Sequence, residues 1–240
     1  MAISIITIGK VANGAGGATI ALTTTAAAAA GDSIVVDVYF RVQGGVAGTP
    51  TVIDSVGTNT YSQESFVNSG SGITRWARFV CHNSAGLASG ATITVGNLNT
   101  TASSRRAVIA AAITGLDAAP LVDDAAVASA AGDTTPSSGD ALAGANNDVI
   151  FLGGVTVAGP NVDSFTEDAD YSTLDRIGTN VSADTTDRTG VMAYRIVATT
   201  ETNAYAPTLG TSRNWCCGVS IYKMAGGGGG GTNRRRRVLC

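Results

Sequence analysis

Gly31-Asp32-Ser33-Ile34-Val35-Val36-Asp37-Val38-Tyr39-Phe40-Arg41 is apolar at nearly every position from Ile34 to Tyr39, broken only by Asp37. A strand with one wet face alternates apolar and polar residues, so a run without alternation reads as a central strand covered on both sides. Val149–Leu152 has the same character. Around these two runs, period-2 stretches punctuated by Gly, Asn, Asp and Pro recur along the chain: Thr51–Ser55, Ile73–Cys81, Ala91–Gly96, Arg106–Thr114, Asp148–Val157, Val191–Ala198 and Trp215–Met224. Asn13-Gly14, Ser71-Gly72 and Gly159-Pro160 read as the turns between them. The fold class expected is all-β, an antiparallel β-sandwich of jelly-roll-like form.

Composition agrees with this. Of 240 residues, 44% are hydrophobic and only 14% charged, against about 25% charged in an ordinary domain. Long soluble helices need Glu, Lys and Arg on their wet faces, whereas Thr, Ser, Ala and Gly suit short strands. Ala26–Ala30 is too short to hold a helix alone and reads as a loop or one turn. A chain of this length buries roughly 70–75% of its extended surface and needs no metal or disulfide staple to fold. No stretch reaches the roughly 18 apolar residues of a membrane span, and no basic leader with a small-residue cleavage site precedes Gly9-Lys10.

The segments form an internal repeat. Gly31-Asp32-Ser-Ile-Val-Val, Pro50–Asp54, Ile73–Val80 and Ala107-Val-Ile-Ala recur in the same order as Asn147-Asp148-Val-Ile-Phe-Leu, Pro160–Asp163, Gly190–Val197 and Cys217–Tyr222. Between the halves, residues 116–146 are rich in Ala, Asp, Ser, Gly and Pro, a composition compatible with a domain linker or with a long crossover inside one sandwich. The crossover is the preferred reading, because either half alone has only five or six strands with unprotected edges. Residues 1–225 are therefore expected to form one body of two pseudo-repeated halves, followed by a C-terminal arm over 226–240.

Charge separates body from arm. The net charge of −3 hides four arginines, Arg234–Arg237, behind the six glycines Gly226–Gly231; residues 1–233 carry 11 basic against 18 acidic groups, or −7. Six glycines give a flexible tether with a reach of about 13 Å. Arginine pairs carboxylates and phosphates bidentately, so Arg234, Arg235, Arg236 and Arg237 with Val238 and Leu239 form a candidate partner-binding segment. The expected partner is an acidic protein groove, a second copy included, rather than nucleic acid, because the acidic body would repel phosphate.

Catalytic chemistry finds little to stand on. His82 is the one histidine, and its neighbour Cys81 points to the opposite face of any strand that carries both. Asp163, Glu167, Asp168 and Asp170 are weak candidates for a cation, but lack EF-hand spacing, and a solvated acidic loop is the preferred reading. Neither a metal nor a cofactor is expected. In Trp215-Cys216-Cys217-Gly218-Val219-Ser220-Ile221-Tyr222, alternation puts Trp215, Cys217, Val219 and Ile221 inward and sets Cys216 toward solvent or a partner. Cys240, at the end of the arm, is then a candidate for an intersubunit disulfide with Cys216 or Cys81.

Gly31-Asp32 with Ile34-Val35-Val36, Val52-x-Asp54-Ser55-x-Gly57-x-x-x-Tyr61, Trp76-Ala-Arg-Phe with Asn83-x-x-Gly86, Ile113-Thr-Gly115-Leu-Asp-x-x-Pro120-Leu and Asn147-Asp148-Val-Ile-Phe-Leu-Gly153-Gly154 together resemble a β-sandwich module common in tailed-bacteriophage structural proteins and in some bacterial surface proteins. The resemblance covers roughly residues 10–224 and rests on turn and core positions. It implies a non-enzymatic virion protein made in the host bacterial cytoplasm, a head decoration or head-to-tail (neck or collar) accessory subunit, bound to capsid, neck or tail proteins and to its own copies. The alternative is a fibre or spike module that binds host-surface glycans, with Trp76, Trp215, Tyr61, Tyr171 and the Asp163–Asp170 loop as candidate contacts.

Overall fold

The computed structural model describes residues 2–14, 17–42, 49–69, 73–98, 105–117, 122–142, 149–161, 163–179, 186–199 and 201–225. Eight strands come from the first half: β1 (Ser4–Asn13), β2 (Ile20–Thr23), β3 (Ser33–Arg41), β4 (Thr51–Asp54), β5 (Ser62–Asn68), β6 (Thr74–Cys81), β7 (Thr92–Gly96) and β8 (Arg106–Thr114). The second half supplies β9 (Val122–Asp133), β10 (Ala141–Leu142), β11 (Val149–Val157), β12 (Phe165–Thr166), β13 (Ser172–Gly178), β14 (Thr189–Val197), β15 (Thr202–Asn203), β16 (Thr208–Leu209) and β17 (Arg213–Lys223). No helix occurs among the described residues.

The two halves share one plan. A five-stranded sheet in the order β1-β8-β3-β6-β5 is matched by one in the order β9-β17-β11-β14-β13, all neighbours antiparallel. Over the outer face of the first lies the three-stranded sheet β2-β7-β4. Over the second lie two short pairs, β10-β15 and β12-β16. The counterpart of β7 is split into β15 and β16 by Ala204–Pro207, where Tyr205 turns fully inward to fill the space above Gly153 and Pro207 has no N–H for a ladder.

Three apolar cores follow. One lies inside the first half, between its large and small sheets, and includes Ile8, Leu22, Ile34, Val36, Val38, Phe40, Phe79 and Ile93. A second lies inside the second half, with Phe151, Val155, Val191, Tyr205, Trp215, Cys217 and Val219. The third is the seam where the two large sheets meet face to face, with Val35, Tyr39, Trp76, Ile109, Ile150, Leu152, Met192, Cys216 and Tyr222. Across it β1 packs on β13 and β5 on β9, β8 on β14 and β6 on β17, with β3 over β11. Exchanging the halves maps each of these contacts onto another, so the seam is an isologous, two-fold-like interface within a single chain.

This explains why Ile34–Tyr39 and Val149–Leu152 lack alternation: β3 and β11 are central strands with a core on either side. It also refines the repeat. Lining up the letters puts Ile34 on Ile150, Trp76 on Ala193 and Ala107 on Cys217, yet each pair has one member in a half's own core and the other at the seam. The equivalent strands are therefore offset by an odd number of residues from the letter match, since in a strand an odd offset exchanges the two faces. Residues 116–146 hold β9 and β10, so the stretch read as a crossover contributes an edge strand, paired along β17 from Arg213 to Tyr222. The arm, residues 226–240, lies outside the described residues.

Candidate functional site

The expected site residues are scattered or inaccessible. Arg234–Arg237, Val238, Leu239 and Cys240 lie outside the described residues. Cys216, expected to face outward, is fully buried and donates to the Thr74 carbonyl at 3.2 Å. The reason is that β17 has no wet face: Trp215, Cys217, Val219 and Ile221 enter the second half's core, while Cys216, Gly218, Ser220 and Tyr222 face the seam. Cys81 is buried in the first half's core, so neither thiol is open to another subunit. Burial pushes the Cys216 thiol up to about 12 and raises those of Cys81 and Cys217 as well.

The acidic residues are engaged locally. Asp163 receives Arg213, Nη2 at 2.7 Å; Asp170 pairs with Arg195 at 3.0 Å; Glu167 accepts from Thr173; and Asp168 accepts the backbone N–H groups of Asp170 and Ala206. No group of three or more His, Cys, Asp or Glu side chains suited to a metal occurs among the described residues. His82 touches Ser33 Oγ at 3.2 Å and packs edge-on to Tyr222, and burial lowers its imidazole to about 4. Trp76, Trp215 and Tyr171, proposed above as sugar-stacking rings, are buried. One pocket, lined by Phe165, Arg176, Arg213, Asp163, Ser164 and Thr211 among others, has an interior of water size, about 10 Å³.

The densest chemistry is at the seam. Asp37, the one polar interruption in the opening run, projects inward from β3 and is held by Arg78 of β6 through two parallel bonds, Nε–Oδ1 and Nη2–Oδ2, each 2.7 Å. Both side chains are fully buried. Arg78 then crosses the seam: its Nη1 donates to the Leu152 carbonyl at 2.6 Å and to Ser220 Oγ at 3.2 Å. Tyr39 crosses too, its hydroxyl placed between Asp37 Oδ2 and the Val191 carbonyl. From the other side, Tyr222 donates to Glu64 of β5 at 2.7 Å. Burial alone would depress the Arg78 guanidinium, but the adjoining carboxylate outweighs it and holds the group above its ordinary value. Burial, then Asp37, raises Tyr39, and burial raises Glu64.

Glycines make room for these large groups. A Cβ at Gly154 would stand 2.7 Å from Asp37 Oδ2 and 2.9 Å from the Trp76 ring, one at Gly190 2.1 Å from Tyr39, and one at Gly218 2.3 Å from Trp76. The second half's sheet is thus hollowed where the first half's sheet is bulky. Asp37 was visible in the sequence as an anomaly, and Arg78 as a charge on a buried strand; that the two meet follows only from the β3–β6 register, which sets them opposite one another.

No family model, no curated protein and no solved structure matches the chain.

Proposed function

We propose that the chain is a non-enzymatic structural protein of a tailed-phage particle, a head decoration or head-to-tail accessory subunit, fastened to its neighbours by the arm 226–240. The observation that carries this reading is the seam. Its buried ionic network spans two halves and joins them, which suits a rigid building block better than a reaction centre that must admit a substrate. The winding of each half supports the jelly-roll reading common to such particles: β1-β8-β3-β6 lies over β2-β7-β4, and β9-β17-β11-β14 over β10-β15 and β12-β16.

Charge supports the role given to the arm. Residues 1–117 carry six basic and five acidic groups, while residues 118–225 carry five basic and thirteen acidic, so the second half alone holds −8. The arm's four arginines complement that half of a neighbouring copy, or an acidic groove on a capsid, neck or tail protein. Deleting residues 226–240 tests this. The expected result is a soluble body with unchanged unfolding that no longer joins the assembly; retained assembly overturns the anchoring role, and loss of folding overturns the division into body and arm.

A further inference from the structure

A second charged cluster at the seam serves no purpose in the network above. At one end of the first half's large sheet, the Arg41 N–H donates to the Arg105 carbonyl at 2.7 Å, continuing the β3–β8 ladder in which Phe40 faces Arg106. Arg41 and Arg105 therefore stand side by side. By alternation from Tyr39 and Ala107, both of the seam core, their side chains take the seam face. Like charges directly opposite on one face of a sheet are destabilising.

A third arginine meets them from the other half. Arg188 precedes β14, two residues before Gly190, where an added Cβ would stand 2.1 Å from the Tyr39 ring. It is fully buried and donates to the Asp187 carbonyl at 2.6 Å. Burial, then the charge of Arg41, lowers its guanidinium to about 9, so it stays charged at neutral pH. Among the described residues the carboxylate of this cluster is Asp187, which is buried, receives Thr179 Oγ1 at 2.8 Å and lies 3.7 Å from Arg105 Nε. Residues 43–48, 99–104 and 180–185, the neighbouring stretches in sequence, contain one further carboxylate, Asp184. Counting it in full leaves three arginines against two carboxylates. The surplus does not depend on any arginine lacking a hydrogen bond, since carbonyls and hydroxyls accept from guanidinium without cancelling its charge.

The geometry points to a binding site for a small tetrahedral oxoanion, phosphate or sulfate, held by Arg41, Arg105 and Arg188 at this end of the seam and bridging the two halves. Guanidinium forks match such oxygens bidentately, and a bound anion offsets the excess positive charge of the trio. Arg41 is half-buried and offers the approach from solvent. The inference is independent of the particle reading, because it concerns the body alone.

The test is thermal unfolding of the full chain in increasing inorganic phosphate or sulfate, against chloride at matched ionic strength, for the parent and for Arg41→Gln, Arg105→Gln and, as control, Lys10→Gln at its separate pair with Asp175. The expected result is a saturable rise in midpoint for the parent and Lys10→Gln in both oxoanions, reduced at least tenfold in apparent affinity in both arginine variants. No specific rise in the parent, or an undiminished rise in both arginine variants, overturns the site.

Discussion

Cutting the Asp37–Arg78 pair from either side should cost much of the protein's stability, and removing the pair whole should cost no more than the worse of the two cuts. In Asp37→Leu, the Arg78 guanidinium stays at a position with no solvent exposure and keeps only the Leu152 carbonyl and Ser220 as partners. In Arg78→Met, the carboxylate keeps the Tyr39 hydroxyl at 3.2 Å and loses both arginine bonds. Stranding one charge of a buried pair costs about 3–5 kcal/mol, a large part of the roughly 5–15 kcal/mol that holds a domain folded. The double variant Asp37→Leu/Arg78→Met leaves no stranded charge. Its residual cost comes from Leu152 and Ser220, which lose a donor, at about 1–3 kcal/mol for each acceptor left buried and unmatched. It should therefore be no less stable than the worse single variant, with a coupling energy of about 3 kcal/mol or more. Urea unfolding followed by tryptophan emission suits the measurement, since Trp76 stacks on Arg78 at 5.0 Å within the seam and Trp215 reports on the second half's core. Single variants that each cost under about 1 kcal/mol, or costs that simply add, would refute the reasoning.

Three further outcomes are expected. Gly190→Ala places a methyl group 2.1 Å from the Tyr39 ring, so it should cost about 1–3 kcal/mol in the same urea assay, as overpacking of a tight core does. Cys81, Cys216 and Cys217 should resist a thiol reagent in the native protein and react in denaturant, read by mass spectrometry of the peptides that contain them, because all three are buried and burial raises their thiols. His82 binds its proton near pH 4 when folded and at its ordinary 6.5 when unfolded. Between these values the unfolded chain holds the extra proton, so stability should fall as pH drops from 6.5 toward 4, and His82→Gln should flatten that part of the profile.

The strands with a core on each side are legible in the sequence, and so are β4 and β7 of the small outer sheet, on which Thr51–Ser55 and Ala91–Gly96 fall. Ser33–Arg41 and Arg106–Thr114 coincide with β3 and β8, and the Ile73–Cys81, Val191–Ala198 and Trp215–Met224 runs fall on β6, β14 and β17. The edge strands β1, β5, β9 and β13 were not marked, for a physical reason. Each has one ladder neighbour in its large sheet and only partial cover, so Ser62–Asn68 can be largely polar, and Val122–Asp133 can be built largely of Ala, Ser, Gly and Asp and still pair along β17. Burial on both faces also misled the reading of Cys216: alternation separates two faces correctly but does not say that the second one is wet. The seam itself was out of reach. Arg41, Arg105 and Arg188, like Asp37 and Arg78, come together through strand register and sheet-on-sheet packing, and no local spacing encodes either.

Two β-sandwich halves are locked through a buried ionic seam into one cooperative body. Differential scanning calorimetry of residues 1–225 measures this directly. One transition, with calorimetric and van't Hoff enthalpies in agreement, is the predicted result; two resolved transitions, one for each half, would contradict it.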